Sequence, residues 1–164
     1  MKMYKSETER LIDILIPMLT QDEGEVKKNN RHVIYQDSKG IWTIGIGRNI
    51  QERGLSDEEA YYLLTNDIKD AIEDSIKIIG NKDWQELGFN QKLAVINMMF
   101  NMGFNKFSEF KNTLRLIKAD RYEEAKDNAL KSLWAKQVKS RAKRVTDLLI
   151  NKISGYNFSL FKKD

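Results

Sequence analysis

An α+β fold, mostly α, follows from three features of the 164-residue sequence. Long stretches carry apolar residues at i, i+3, i+4 spacing and start at capping patterns, the pattern of amphipathic helices. One segment, residues 34–48 (IYQDSKGIWTIGIGR), breaks instead into β-branched and aromatic residues punctuated by three glycines, which is strand and turn composition. Helices that surround one local sheet, rather than alternating with strands, give α+β and not α/β architecture. The expected organisation is a single domain over 1–164. It has a small β-hairpin lobe at about 24–55, a connecting helix at about 56–79, and a larger helical lobe made from about 1–23 and 80–164.

Each element has its own justification. Ser6 with Glu9 is a capping box, and Leu11, Ile14, Leu15, Met18 and Leu19 recur at helical spacing. Pro17 leaves two readings: two short helices with the second starting near it, or one kinked helix, ending in either case around Asp22 or Glu23 before Gly24. Residues 25–31 (EVKKNNR) lack periodicity and read as an exposed loop. Val33 to Tyr35 and Ile41 to Ile46 read as two strands joined by a turn at Asp37 to Gly40, where Gly40 supplies a positive φ. Ser56 with Glu59 opens a second capped helix that runs at helical spacing to Ile79 before Gly80, about six turns long. The segment NQKLAVINMMFNMG is apolar on nearly every side, as expected of a helix at the centre of a bundle. From Phe107 to about Lys152 a string of short helices should break near Ala119, Ser132 and Ser140.

Composition narrows the chemistry. With 41% hydrophobic and 32% charged residues and no low-complexity tract, the chain is a folded and not a disordered protein. It has no Cys, which removes disulfides and thiolate metal sites, and its single His32 rules out a histidine-rich metal centre. No metal and no cofactor is expected. The apolar run LIDILIPML is interrupted by Asp13 and Pro17 and lacks a cleavage site, so it reads as neither a signal peptide nor a membrane span. The net charge of +4 points to an anionic partner without choosing among nucleic acid, a membrane surface and an acidic polymer.

With no thiol and one His, the plausible acid and base are carboxylates. Glu23 falls at a helix C-terminal end, where the macrodipole disfavours a negative charge and favours the protonated carboxyl that a general acid needs. Asp37 opens a tight turn, and Asp is a common turn residue for purely structural reasons. Thr43 is an ordinary β-branched strand residue when taken alone.

The ordered set changes this. QDEG, then YQDSKGIWTIGIGR, then a capped long helix, then INMMFNMG and SRAKRV resembles the phage-type lysozymes, the endolysin muramidases of glycoside hydrolase family 24. The resemblance runs from about Pro17 to the C-terminal helix. It implies a lysozyme-like fold and hydrolysis of the β-1,4 bond between N-acetylmuramic acid and N-acetylglucosamine in bacterial peptidoglycan. It also implies roles: Glu23 as the catalytic acid, and Asp37 and Thr43 holding the attacking water, in an inverting reaction. Asn49, Phe100, Thr113 and Asn128 fall on family positions that contact the saccharide, although core packing is an equally good reading of Phe100. The glycines 45 and 47 would let a sugar chain or a packed helix approach the strand.

Two departures stand out. Glu23 and Asp37 lie further apart in sequence than in the T-even members, with the extra residues in the basic segment KKNNRH. Arg48 stands where many relatives have His, and Asp67 on the long helix is its expected partner. The partner expected is peptidoglycan, with no nucleic acid, no stable membrane association and a monomeric state. The expected location is the host cytoplasm until release to the wall. A nucleic-acid-binding helical module, prompted by KSRAKRV and the basic charge, is the rival reading, and it lacks a recognisable nucleic-acid fold signature. An inactive wall-binding domain is a third.

Overall fold

The computed structural model describes residues 6–153 and 155–158, and its chain divides into two compact units, one up to Tyr61 and one from Tyr62 onward. The elements confirm an α+β protein dominated by helix, with two small antiparallel sheets confined to the first unit. Among the described residues no helix is long and apolar enough to cross a membrane.

The first unit begins with α1 (Glu7–Glu23), closed at its start by the expected capping box: Glu9 N–H donates to Ser6 Oγ (3.2 Å) and Ser6 N–H to Glu9 Oε2 (2.6 Å). Of the two readings left open at Pro17, α1 is one helix with the proline inside it. The apolar positions before and after Pro17 keep the same spacing, so a single helix preserves one stripe. That stripe buries nothing: Leu11, Ile14, Leu15, Met18 and Leu19 are all between 43% and 61% exposed.

The segment read as a loop is a hairpin. β1 (Lys27–Lys28) pairs with β2 (Arg31–His32), and Val33 N–H extends the ladder to Val26 O at 3.2 Å. The turn is Asn29–Asn30, both at positive φ (52° and 59°), the two-residue geometry whose twist matches antiparallel strands. Asn tolerates that region because its short amide can bond locally, and this is the signal that hydrophobic periodicity misses.

The second sheet has the order β3 (Tyr35–Gln36), β4 (Trp42–Ile44), β5 (Arg48–Asn49). The strand expected through Ile46 stops at Ile44 because Gly45 and Gly47, at φ 64° and 67°, reverse the chain into β5. A short helix, α2 (Ile50–Arg53), follows directly, with Asn49 as its cap.

Arg48 pairs with Glu59 and not with Asp67. Its guanidinium donates to Glu59 Oε1 (2.5 Å) and Oε2 (2.7 Å), and to Gly54 O from Nη2 (2.6 Å) and Nε (3.1 Å). Glu59 is the geometric winner because the capping box already fixes it: Ser56 N–H donates to its Oε2 at 2.8 Å. One carboxylate thus starts α3 (Asp57–Ile79) and ties it to the end of the sheet.

The second unit continues α3 and adds α4 (Asn81–Glu86), α5 (Phe89–Ser108), α6 (Lys111–Lys118), α7 (Tyr122–Leu130), α8 (Leu133–Val138), α9 (Ser140–Asp147) and a 3₁₀ turn at Leu148–Ile150. The breaks fall where the sequence places them, and Ser132 caps α8 by accepting from Ala135 N–H at 3.2 Å. Ala94, Val95, Met98 and Phe107 of α5 are fully or almost fully buried against Ile79, Ile117, Val145 and Leu149. The expectation of a helix buried on nearly every side holds for only part of α5. Its Phe89, Leu93, Ile96 and Phe100 line an apolar groove with Leu64 and Ile68, of about 590 Å³, and Phe89 is 76% exposed. Gly103, at φ 72°, interrupts the helical backbone of α5.

The Glu59 arrangement carries a pH dependence. Its carboxyl is held below the ordinary value of 4.5, chiefly by the Ser56 backbone hydrogen bond and then by Arg48. A carboxyl whose folded value is depressed stabilises the fold above its unfolded value, and that stability is lost as pH falls through the folded value. Glu59→Gln keeps the capping-box shape but removes the charge facing Arg48. Its melting temperature should lie below wild type at pH 7, and the gap should close as the pH is taken below 4.5, as measured by thermal unfolding across pH.

Candidate active site

Glu23 is the last residue of α1, and Gly24 at φ 68° ends the helix, its N–H donating to Thr20 O at 3.2 Å. The side chain is exposed, and no cation is paired with it among the described residues. It lies against the β4–β5 loop: a Cβ built on Gly47 would meet Glu23 Oε2 at 2.8 Å and the carboxyl carbon at 3.1 Å. The Gly47 position favours glycine for its positive φ, and the missing Cβ also leaves room for the exposed Glu23 carboxyl. The close helix approach expected of this loop is made by Glu23 itself.

Asp37 and Thr43 are joined through Ile41. Asp37 Oδ1 accepts from the N–H groups of Lys39 (2.8 Å) and Ile41 (2.9 Å), and Asp37 N–H donates to Ile41 O at 3.0 Å. Thr43 Oγ1 donates to the same Ile41 carbonyl at 3.1 Å. Sequence reasoning weighed the turn role of Asp37 against a chemical one, and the two use different oxygens. Oδ1 builds the turn, while Oδ2 accepts no hydrogen bond from any described residue. Thr43 sits on the central strand, opposite Tyr35 on one side and Asn49 on the other, and is only 4% exposed. With its hydroxyl hydrogen given to Ile41, its oxygen is left as an acceptor.

The four saccharide-contact candidates are placed differently. Asn49 is half-buried and engaged in capping α2, its Oδ1 accepting from Glu52 N–H (2.9 Å) and its Nδ2 donating to Glu52 Oε2 (3.1 Å). In the second unit, Thr113 is 1% exposed and donates to Asn128 Oδ1 at 2.8 Å. That bond fixes the amide so that the NH₂ group of half-buried Asn128 is the remaining donor of the pair. Phe100 is 42% exposed and borders two pockets, the apolar groove and a smaller one with Asp67, Asp70 and Asp74. Glu23, Asp37, Thr43 and Asn49 belong to the first unit, and Phe100, Thr113 and Asn128 to the second. Sequence reasoning missed the Ile41 link and the Arg48–Glu59 pair, and nothing in spacing alone marks them. Among the described residues no group of three or more His, Cys, Asp or Glu is arranged to hold a metal ion.

The two glycines of the loop separate strain from contact. Gly45 has nearly the same φ as Gly47 but open space around its missing Cβ. Ala at either position should cost about 1 kcal/mol for the left-handed backbone. Gly47→Ala should cost more than Gly45→Ala, and the excess should vanish in a Glu23→Ala background. Denaturant unfolding of the four variants measures it.

Residues 27–152 match the family model described as Phage lysozyme, a match that takes in Asp37 and Thr43 and begins after Glu23. Over 166 aligned residues the chain is 26% identical to "Probable T4-type lysozyme 1" of Dictyostelium discoideum, covering 85% of this chain and 95% of that protein. With "Probable T4-type lysozyme 2" of the same organism it shares 29% over 164 residues, covering 82% and 92%. It is also 30% identical over 160 residues to the "Pre-baseplate central spike protein Gp5" of Enterobacteria phage T4, spanning 27% of that longer protein.

Proposed function

Because the chain belongs to the phage lysozyme family, we propose that it is a bacteriolytic muramidase that hydrolyses the β-1,4 bond between N-acetylmuramic acid and N-acetylglucosamine in peptidoglycan. The observation that carries the reading is the division of labour within Asp37. Its Oδ1 is spent on the turn and its Oδ2 is left without a partner among the described residues, next to a Thr43 oxygen free to accept. A turn residue alone needs no second oxygen. A base does.

In this mechanism Glu23 is the general acid, giving its proton to the glycosidic oxygen as the bond to the anomeric carbon breaks. A water accepted by Asp37 Oδ2 and Thr43 Oγ1 attacks the anomeric carbon and passes its proton to Asp37. The bond is broken with inversion, and each carboxyl is reset by proton exchange with solvent. Asn49, Phe100, Thr113 and Asn128 bind the saccharide, with Thr113 acting through Asn128 and Phe100 offering an apolar face to a sugar ring. No cofactor is required.

The same reading takes residues 1–164 as one catalytic domain acting as a monomer, held in the host cytoplasm until a membrane lesion admits it to the wall. Its net charge of +4 favours encounter with an anionic wall and does so less at high salt.

Asp37→Asn tests the base directly. Asn retains an Oδ1 that can accept from Lys39 and Ile41, so the turn and the circular dichroism spectrum should be unchanged. Clearing of permeabilised bacteria should fall by roughly 100-fold or more, the usual scale for losing a general base. A folded Asp37→Asn protein that clears at the wild-type rate would reduce Asp37 to a turn residue.

A further inference from the structure

The hairpin of β1 and β2 has no evident means of supporting itself. Its four strand residues are all exposed, it forms a two-stranded sheet of its own, and it contributes no residue to a core. A bare two-stranded hairpin is marginal in water, and cross-strand pairs are the unit that stabilises one. Here a directly opposed pair is Lys28 with Arg31, two like charges. Like charges facing each other across an antiparallel ladder destabilise it.

The other basic side chains of the hairpin, Lys27 and His32, both face Glu25. Lys27 Nζ donates to Glu25 Oε1 at 2.6 Å, and His32 Nε2 lies 3.6 Å from Glu25 Oε2. The Lys27 hydrogen bond, with further attraction from Lys27 and His32, holds the Glu25 carboxyl below its usual value. Lys28 and Arg31, at the turn end, face no carboxylate among the described residues. The exposed tip is therefore an ammonium beside a guanidinium, set by a tight Asn29–Asn30 turn. An anion held between them would turn their repulsion into two charge-assisted hydrogen bonds, with the planar guanidinium suited to a carboxylate.

Position identifies the anion. The ladder of the hairpin starts at Val26 and closes at Val33, three residues after Glu23 and four before Asp37. At roughly 3.3 Å per extended residue, chain length alone keeps the tip within about 25 Å of both carboxyls. That is the reach of a peptide branch from a bound glycan strand. The free carboxylates of peptidoglycan are carried largely on those branches.

We propose that Lys28 and Arg31, at the tip of the β1–β2 hairpin, form a binding site for the carboxylates of the peptide stems of peptidoglycan. The inference rests on the muramidase reading. Lys28→Gln with Arg31→Gln touches no buried residue and leaves the proposed catalytic residues intact. On purified peptidoglycan the double variant should show a KM raised about tenfold with kcat unchanged, the pattern of lost ground-state binding. On glycan strands stripped of peptides by an amidase, variant and wild type should not differ. Equal kinetics on both polymers, or an equal loss on both, would overturn the site. Co-sedimentation with the two polymers reads the same contact without catalysis. Selective loss of binding to the peptide-bearing polymer supports the site, and indistinguishable binding overturns it. Wild-type protein that cleaves neither polymer would remove the muramidase reading, while the sedimentation result still decides whether the hairpin binds peptide carboxylates.

Discussion

The first unit depends on one chain reversal, Gly45–Ile46–Gly47, made possible by two glycines at positive φ. The reversal brings β5 back along β4, so that Thr43 is flanked on both sides. It delivers Arg48 to Glu59, which fixes where α3 starts, and Asn49 to the cap of α2. The same loop gives Glu23 its place, because the atom that Gly47 lacks would overlap the carboxyl. A conformational constraint on the backbone, which favours glycine, and a close side-chain neighbour thus coincide at one residue.

A second economy appears at Asp37. A turn aspartate normally spends its carboxylate on its own backbone. Here one oxygen does so, twice, and Thr43 donates to the carbonyl of one of the same residues, Ile41. The pair is thereby positioned by the backbone of one residue, Ile41, without using all of its acceptor capacity. The Thr113–Asn128 bond in the second unit follows similar logic, since a buried hydroxyl orients an amide that is more exposed than itself.

What could be read from the sequence divides along physical lines. The helix starts at Ser6 and Ser56 were legible because capping is a local pattern with a fixed spacing, and both boxes form as read. The break at Ser132 was legible for the same reason, since Ser132 caps α8. The β1–β2 hairpin was not, because Lys, Asn and Arg carry no hydrophobic alternation and the turn signal is conformational, two asparagines in the left-handed region. The partner of Arg48 was misread because Asp67 is a matter of alignment, whereas Glu59 is held by its own capping box. The burial of α5 was overestimated, since an all-round apolar helix cannot reveal which side meets a core and which lines a groove. Among the site residues, the identities of Glu23, Asp37 and Thr43 came from ordered motifs, while the Ile41 link is tertiary and has no sequence pattern.

The central claim is that Glu23 protonates a departing sugar while a water held at Asp37 and Thr43 attacks from the opposite face. Proton NMR of freshly cleaved peptidoglycan, recorded before mutarotation, reads both halves at once. The account predicts new muramic-acid ends of inverted, α configuration with the wild-type protein and none with folded Glu23→Gln. New ends of β configuration, or ends released by Glu23→Gln at the wild-type rate, would contradict it.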